Sequence, residues 1–198
     1  MLCVMKKNIG SFLPIILLFL LNSCGDADAN KRGTADTSDY KTETLDDEFQ
    51  ISIPKQMKIA TQLNPDASMQ FESKTENTYL VVIKENRSDF IEAFGDADAL
   101  DPALSDIANY RKIQVDYFLK RLILKNETEA EAVTISGKKA EQKEFTCIVD
   151  SSGSEIFYVM TFLEGADHLY WIISWTLTDL ETAHKDSFYA IADSFKEL

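Results

Sequence analysis

The sequence contains few of the residues from which common catalytic and metal sites are built. Its 198 residues include only seven glycines, four prolines and two histidines. No phosphate-binding loop, dinucleotide-binding fingerprint or Gly-x-Ser-x-Gly elbow occurs. His168 and His184 have no cysteine or carboxylate at the spacing of a zinc site, so we expect both to be structural. The sequence therefore predicts no catalytic residue, no cofactor and no metal site.

The scarcity of cysteine excludes a fold held together by disulfides. Cys3 and Cys24 lie near the amino terminus, which leaves Cys147 alone in the rest of the chain. Because one thiol cannot form an intramolecular disulfide, the fold must depend on a packed core. Cys147 has Phe145 and Val149 as the neighbours on its own face of a strand, so we expect a small buried filler rather than a reactive thiol.

Basic residues are also scarce relative to acidic residues. The chain carries 33 acidic and 20 basic side chains, which gives a net charge of −13 at pH 7. Nucleic acid is an unfavourable partner, because phosphate binding needs clustered lysine and arginine. An acidic surface also repels anionic lipid head groups, so any contact with a membrane should come from attached acyl chains.

The amino-terminal apolar run, Ile9 to Leu21, is too short to cross a membrane. A spanning helix needs about 20 apolar residues, and Pro14 interrupts this run. Lys6 and Lys7 precede the run, and small residues follow it. Basic residues, a short apolar stretch and small residues in this order are typical of a secretory signal peptide.

The end of that segment resembles the signal of a bacterial lipoprotein. Leu21-Asn22-Ser23-Cys24 matches the lipobox, although Asn22 is a less usual member of the pattern. The resemblance implies that Cys24 is the lipid-attachment residue, that residues 1–23 are removed, and that acyl chains such as palmitate anchor the protein in the cell envelope. Asp26 and Asp28 are similar to an acidic export signal, which implies the outer membrane and the cell surface. The alternatives are an uncleaved anchor or an ordinary secretory signal, with Cys24 incidental.

Residues 24–48 are polar and acidic and contain almost no large apolar side chains. Such a segment cannot bury enough apolar surface to offset the entropy lost on ordering. We therefore divide the chain into a lipoprotein signal peptide at 1–23, an acidic disordered tether at 24–48 and a single folded domain at 49–198.

Hydrophobic periodicity in the folded part predicts an α+β protein. A helix should begin at Pro102, capped by Asp101, and run to about Leu124, after a loop at 87–101. A second helix, begun by the capping box at 178–181, should extend to about Lys196. Strands are expected at 49–53, 69–71, 78–83, 127–135, 140–149, 155–163 and 168–176. The prediction is an antiparallel sheet of about six to seven strands covered by helices on both faces, an α/β/α sandwich.

Arg111 and a group of aromatic residues each admit two interpretations. Arg111 lies within the apolar stripe of the first predicted helix. The structural interpretation is that its side chain extends to the edge of the core or meets an acidic partner, and the functional one is that it binds an anion in a cleft between helix and sheet. The aromatic residues of the last strands either fill the core or line an apolar pocket. They are Phe157, Tyr158, Phe162, Tyr170, Trp171 and Trp175. We favour the structural interpretation for both features.

Residues 45–198 resemble PsbP-like and DcrB-like domains. The resemblance rests on Phe49–Pro54, Leu63–Phe71, Tyr79–Ile83 and the closing Asp193-Ser194-Phe195. It implies an antiparallel sheet between helices, in exported and often lipid-anchored proteins that act as accessory or binding subunits. The predicted function is accordingly a non-catalytic envelope lipoprotein that contacts a protein partner or an apolar ligand. The alternative is an envelope hydrolase with an unrecognised active site.

Overall fold

The computed structural model describes residues 34–149 and 152–198. The predicted lipid-attachment residue Cys24, the predicted signal peptide and the first part of the predicted tether lie outside the described residues. Among the described residues, no helix combines the length and the apolar character needed to cross a membrane.

The described chain forms eleven strands and three α-helices. The helices are α1 (Arg87–Asp96), α2 (Asp106–Leu119) and α3 (Glu181–Asp193). The strands are β1 (Tyr40–Leu45), β2 (Phe49–Pro54), β3 (Lys58–Ile59), β4 (Met69–Ser73), β5 (Thr78–Asn86), β6 (Leu122–Glu127), β7 (Glu131–Ile135), β8 (Lys138–Val149), β9 (Ser154–Glu164), β10 (His168–Leu177) and β11 (Lys196–Glu197). A short 3-10 turn, Thr178–Leu180, leads into α3.

The strands form two antiparallel sheets. The large sheet has eight strands in the order β3-β4-β5-β10-β9-β8-β6, and β7 also pairs with β8. The small sheet has the order β1-β2-β11. In the large sheet β5, β10 and β9 are apolar on both faces and lie at the centre, where Trp171 is opposite both Ile83 and Phe162. The predicted antiparallel sheet is thus confirmed.

Each face of the large sheet has its own apolar core, because successive side chains of a strand point to opposite faces. Val82 packs with α3 and the small sheet, whereas its neighbour Val81 packs with α1 and α2. We call the first side the closed face and the second side the open face. Helices cover both faces, so the predicted α/β/α arrangement is also confirmed.

The helices differ from the prediction at their boundaries. The segment predicted as a loop, 87–101, contains α1, which begins because the Asn86 side chain accepts a hydrogen bond from the Asp89 amide at 3.1 Å. Ser105 rather than Asp101 caps α2, by accepting from the Ala108 amide at 3.3 Å. The predicted extension of α2 to Leu124 is wrong, since Leu122–Glu127 pairs with β8 instead.

Residues 40–45, predicted as tether, form β1 and pair with β2. The intervening turn has Asp46 and Asp47 at φ of 39° and 59°, a left-handed conformation that aspartate tolerates better than most residues. β1 was not predicted because its four inner residues, 41–44, are all charged or polar. The predicted strand 127–135 is in fact divided between β6 and β7, whereas the other predicted strands are confirmed.

Candidate binding cleft

An open cleft of about 540 Å³ lies on the open face, at the carboxyl-terminal end of α2. Its volume falls within the usual range of small-molecule sites. We call it the aromatic cleft. It is lined by Asn64, Gln114, Tyr117, Phe118, Lys120, Arg121, Leu122, Tyr158 and Trp171.

The strand register and the end of α2 bring the aromatic side chains of the cleft together. Tyr158 of β9 and Trp171 of β10 both belong to the core of the open face. Phe118, near the end of α2, contacts both rings edge-on, with ring centroids 5.0 Å from Tyr158 and 6.1 Å from Trp171. Because α2 ends at Leu119, no further helical turn continues over this part of the sheet.

The mouth of the cleft carries two positive charges. Lys120 caps the end of α2 and Arg121 follows it directly. The Lys120 ammonium lies 4.0 Å from the centre of the Tyr117 ring, a cation–π contact. Among the described residues, none that lines the cleft is acidic, and neither cation forms an ion pair with a described carboxylate. The cleft therefore combines an aromatic floor with a cationic rim.

Two polar groups of the floor are hydrogen-bond donors. Burial raises the pKa of Tyr158 to about 12, so its hydroxyl stays protonated at neutral pH. The Trp171 side chain is 6% exposed, and its buried indole nitrogen has no hydrogen-bond partner among the described residues. Because this nitrogen is enclosed within the fold, it is not available to a ligand in the cleft, and only the Tyr158 hydroxyl is left as a candidate donor of the floor.

Arg111 meets an acidic partner. Its guanidinium Nε donates to the carboxylate of Glu141 on β8, and both side chains are largely buried. The ion-pair interpretation is confirmed. Since Glu141 occupies the guanidinium, the anion-binding interpretation of Arg111 is not supported.

The aromatic residues singled out in the sequence divide between core and cleft. Tyr158 and Trp171 line the cleft, whereas Phe157, Phe162 and Tyr170 are almost completely buried. Trp175 stacks on Tyr79 with ring centroids 5.3 Å apart. The pocket interpretation therefore holds for two of the six, and the core interpretation holds for most of the others.

The histidines and the cysteine considered in the sequence lie outside the aromatic cleft. His168 begins β10, and His184 lies in α3 with its ring 6.3 Å from that of Phe188. Among the described residues, no group of three or more His, Cys, Asp or Glu side chains is placed to hold a metal ion. Cys147 is fully buried, and burial raises the pKa of its thiol to about 11. The prediction of a buried, unreactive Cys147 is consistent with both observations.

A second, polar cleft of about 430 Å³ contains His168 and the carboxylate of Glu197. That carboxylate accepts hydrogen bonds from Lys138, the Ala166 amide and the Tyr170 hydroxyl. Burial alone would raise the pKa of Glu197, but these bonds outweigh burial and lower it. Because the carboxylate is already satisfied, its role is to fasten the carboxyl-terminal strand to the loop before β10.

Sequence reasoning missed Tyr117, Phe118, Lys120 and Arg121 as a group, because the predicted helix ran through them. No local signal separates them from the helix. Lys120 and Arg121 lie between Leu119 and Leu122 at the spacing of an amphipathic helix, although the helix ends and the strand begins there.

No protein-family model and no curated protein matches the chain. Its fold is similar to that of the cyanobacterial PsbP protein (CyanoP) of Synechocystis sp. PCC 6803, with a TM-score of 0.55, 17% sequence identity, and 90% of this chain and 99% of that chain covered. LpqN, a protein involved in cell envelope biogenesis of Mycobacterium tuberculosis, aligns with a TM-score of 0.47 and 12% identity over 75% of this chain and 82% of that chain. The likeness to CyanoP shows that this chain has the PsbP-like fold that the sequence resemblance implied.

Proposed function

We propose that this protein is a lipid-anchored, non-catalytic binding protein of the bacterial cell envelope, and that the aromatic cleft holds an apolar ligand. The observation that carries the proposal is the cleft itself. In this cleft Tyr117 is 59% exposed and Phe118 is only partly buried. Covering apolar surface contributes roughly 25 cal/mol per Å², so a ligand seated on these rings gains binding energy.

The anchor in this proposal is Cys24, supported by the lipobox at Leu21–Cys24. Each buried methylene of an acyl chain contributes about 0.8 kcal/mol, and two or more chains give stable attachment. The test is metabolic labelling with an alkyne analogue of palmitate, followed by detergent phase separation. We expect label and detergent partitioning in the native chain and neither in Cys24→Ala. A Cys24→Ala chain that still carries label would contradict the anchor.

Ligand binding can be tested with the neutral fluorescent probe N-phenyl-1-naphthylamine. The chain has only two tryptophans. Trp171 lines the cleft, and Trp175 contacts Tyr158, with ring centroids 6.2 Å apart. Energy transfer from tryptophan to the probe therefore reports binding to the domain, and substitution of a cleft residue assigns the binding to this site.

The informative variant is Tyr117→Ala, which removes an exposed ring from the cleft at little expected cost to folding. Loss of about 1 kcal/mol of apolar contact should weaken probe binding about fivefold. The matched control is Ile59→Ala, since Ile59 is also apolar and exposed but lies on β3, outside the cleft lining. Absence of energy transfer in the native chain, or equal weakening by both substitutions, would contradict the proposal.

A second candidate function is an accessory role through a protein partner, favoured by the edge strand β6. This strand ends the large sheet, and its Ile123 and Leu124 are 50% and 39% exposed. An exposed apolar edge is a template for pairing with an extended segment of another chain. A photo-crosslinking residue at position 123 should capture one partner in intact cells, and Leu124→Lys should abolish the capture. Capture that Leu124→Lys leaves unchanged would count against this candidate.

A further inference from the structure

We infer that the ligand of the aromatic cleft is a small anionic amphiphile, an apolar body that carries one carboxylate, sulfonate or phosphate head group. The inference rests on the proposed function and adds the chemistry of the ligand. In this arrangement the apolar body covers Phe118 and Trp171, and the head group meets Lys120 and Arg121.

The first argument is the distribution of charge. The chain has 33 acidic and 20 basic side chains, so carboxylates are available to most cations. Arg87 pairs with Asp106, Arg111 with Glu141, and Lys185 with Glu144 at 2.8 Å. Lys120 and Arg121 form no such pair with a described carboxylate, a property they share with Lys58, Lys112, Lys125, Lys139 and Lys196. What sets these two apart is their position, since they are adjacent in sequence and both line an apolar cleft.

The second argument is that the cleft offers donors and no acidic side chain among its described lining residues. The Lys120 ammonium, the Arg121 guanidinium and the protonated Tyr158 hydroxyl are donors on residues that line the cleft. A cationic ligand would be repelled, and a neutral apolar ligand would make no use of the cationic rim. An anionic head group on an apolar body is complementary to both parts of the site.

The test uses two probes that share one apolar body. N-phenyl-1-naphthylamine is neutral, and 8-anilinonaphthalene-1-sulfonate is the same ring system with one sulfonate. The protein is the mature-length chain, 24–198, with Cys24→Ala, because both core clusters lie within it. Circular dichroism and an unfolding curve establish that each variant is folded, so that the sulfonate probe does not report a loosened core.

We expect the sulfonate probe to bind about tenfold more tightly than the neutral probe, from two charge-assisted contacts of about 0.5–1 kcal/mol each. The double variant Lys120→Gln/Arg121→Gln should reduce this preference to nearly one, because it weakens binding of the sulfonate probe much more than binding of the neutral probe. The matched control Lys58→Gln/Lys139→Gln removes two exposed cations that do not line the cleft and should retain the preference.

The outcomes separate this inference from the proposed function. If neither probe binds, the proposed function fails. If both bind equally, or if the control removes the preference as fully as the cleft variant does, the apolar site stands and the anionic ligand is overturned. Competition then identifies the source of the anion. Displacement of the sulfonate probe by decanoate but not by decanol supports a free amphiphile, whereas displacement only by phosphatidylglycerol vesicles would overturn it.

Discussion

The two faces of the large sheet are built from the same strands but are covered differently. On the closed face, α3 and the small sheet bury Phe49, Ile51 and Phe195 completely. On the open face, α2 ends at Leu119, and Tyr117 beside the aromatic cleft is largely exposed. The closed face thus buries these large apolar side chains under its own cover, whereas the open face leaves an aromatic ring exposed. The difference arises from the length of one helix rather than from the composition of the strands.

The largest expected effect comes from truncating an aromatic side chain on each face. Phe195 lies 5.3 Å from Phe49 and 4.7 Å from Tyr170, measured between ring centroids, and is fully buried. Phe195→Ala should lower the free energy of unfolding by about 3–5 kcal/mol, because it leaves a cavity. Phe118→Ala should lower the free energy of unfolding by about half of that amount or less, since the cleft already exposes part of the Phe118 ring. Urea unfolding of both variants is the measurement, and equal losses would remove the distinction between the faces.

An alkaline titration tests how well the floor of the cleft is buried. The pKa of Tyr158 is about 12 in the folded chain, above its ordinary value of 10.0. Between these values the folded state keeps a proton that the unfolded state has lost, so the stability that Tyr158 contributes is complete below pH 10 and disappears as pH rises to 12. The loss amounts to about 2–3 kcal/mol.

The measurement is the free energy of unfolding at several pH values for the native chain and for Tyr158→Phe. The native chain should lose stability more steeply than the variant above pH 10. Parallel curves would mean that Tyr158 is more hydrated than its place in the cleft floor implies.

Substituting two glycines distinguishes close packing on the closed side from looser packing on the open side. A Cβ on Gly165 would lie 2.7 Å from the Tyr170 ring and 2.9 Å from the His168 carbonyl oxygen, so Gly165→Ala should destabilise by about 1–3 kcal/mol. A Cβ on Gly95 in α1 would meet only Leu100 at 3.8 Å. Gly95→Ala should therefore stabilise by about 0.5–1 kcal/mol, through helix propensity. We expect Gly165→Ala to lower Tm and Gly95→Ala to raise it. A Gly165→Ala variant with a raised Tm would contradict the close contact.

The central strands could be predicted because their signal is local. Apolar runs and Gly-containing turns mark β9 and β10 in the sequence itself. α1 was missed because its apolar stripe, Phe90, Ile91 and Phe94, is little more than one helical turn long. The end of α2 was misplaced because Leu119 and Leu122 keep helical spacing, while the pairing of Leu122 with Val149 is a contact distant in sequence.

The difference between local and distant signals also explains how much of the aromatic cleft could be predicted. Tyr158 and Trp171 stood out as aromatic residues of the two central strands β9 and β10, and the sequence already allowed that they line a pocket. Lys120 and Arg121 could not be placed, because their position at the mouth depends on where α2 ends. A local pattern thus identified the floor of the cleft, whereas its rim depends on tertiary pairing.

The smallest expected effect separates structural cations from the cations of the cleft. Arg111→Gln leaves the largely buried carboxylate of Glu141 without its charged partner and should cost about 1–2 kcal/mol of unfolding free energy. Lys120→Gln/Arg121→Gln breaks no described ion pair and should change stability by less than about 0.5 kcal/mol. If the double variant instead destabilised the chain as much as Arg111→Gln, Lys120 and Arg121 would be holding the end of α2 in place. A structural role would then account for their position at the cleft, and the case for an anionic ligand would lose its main support.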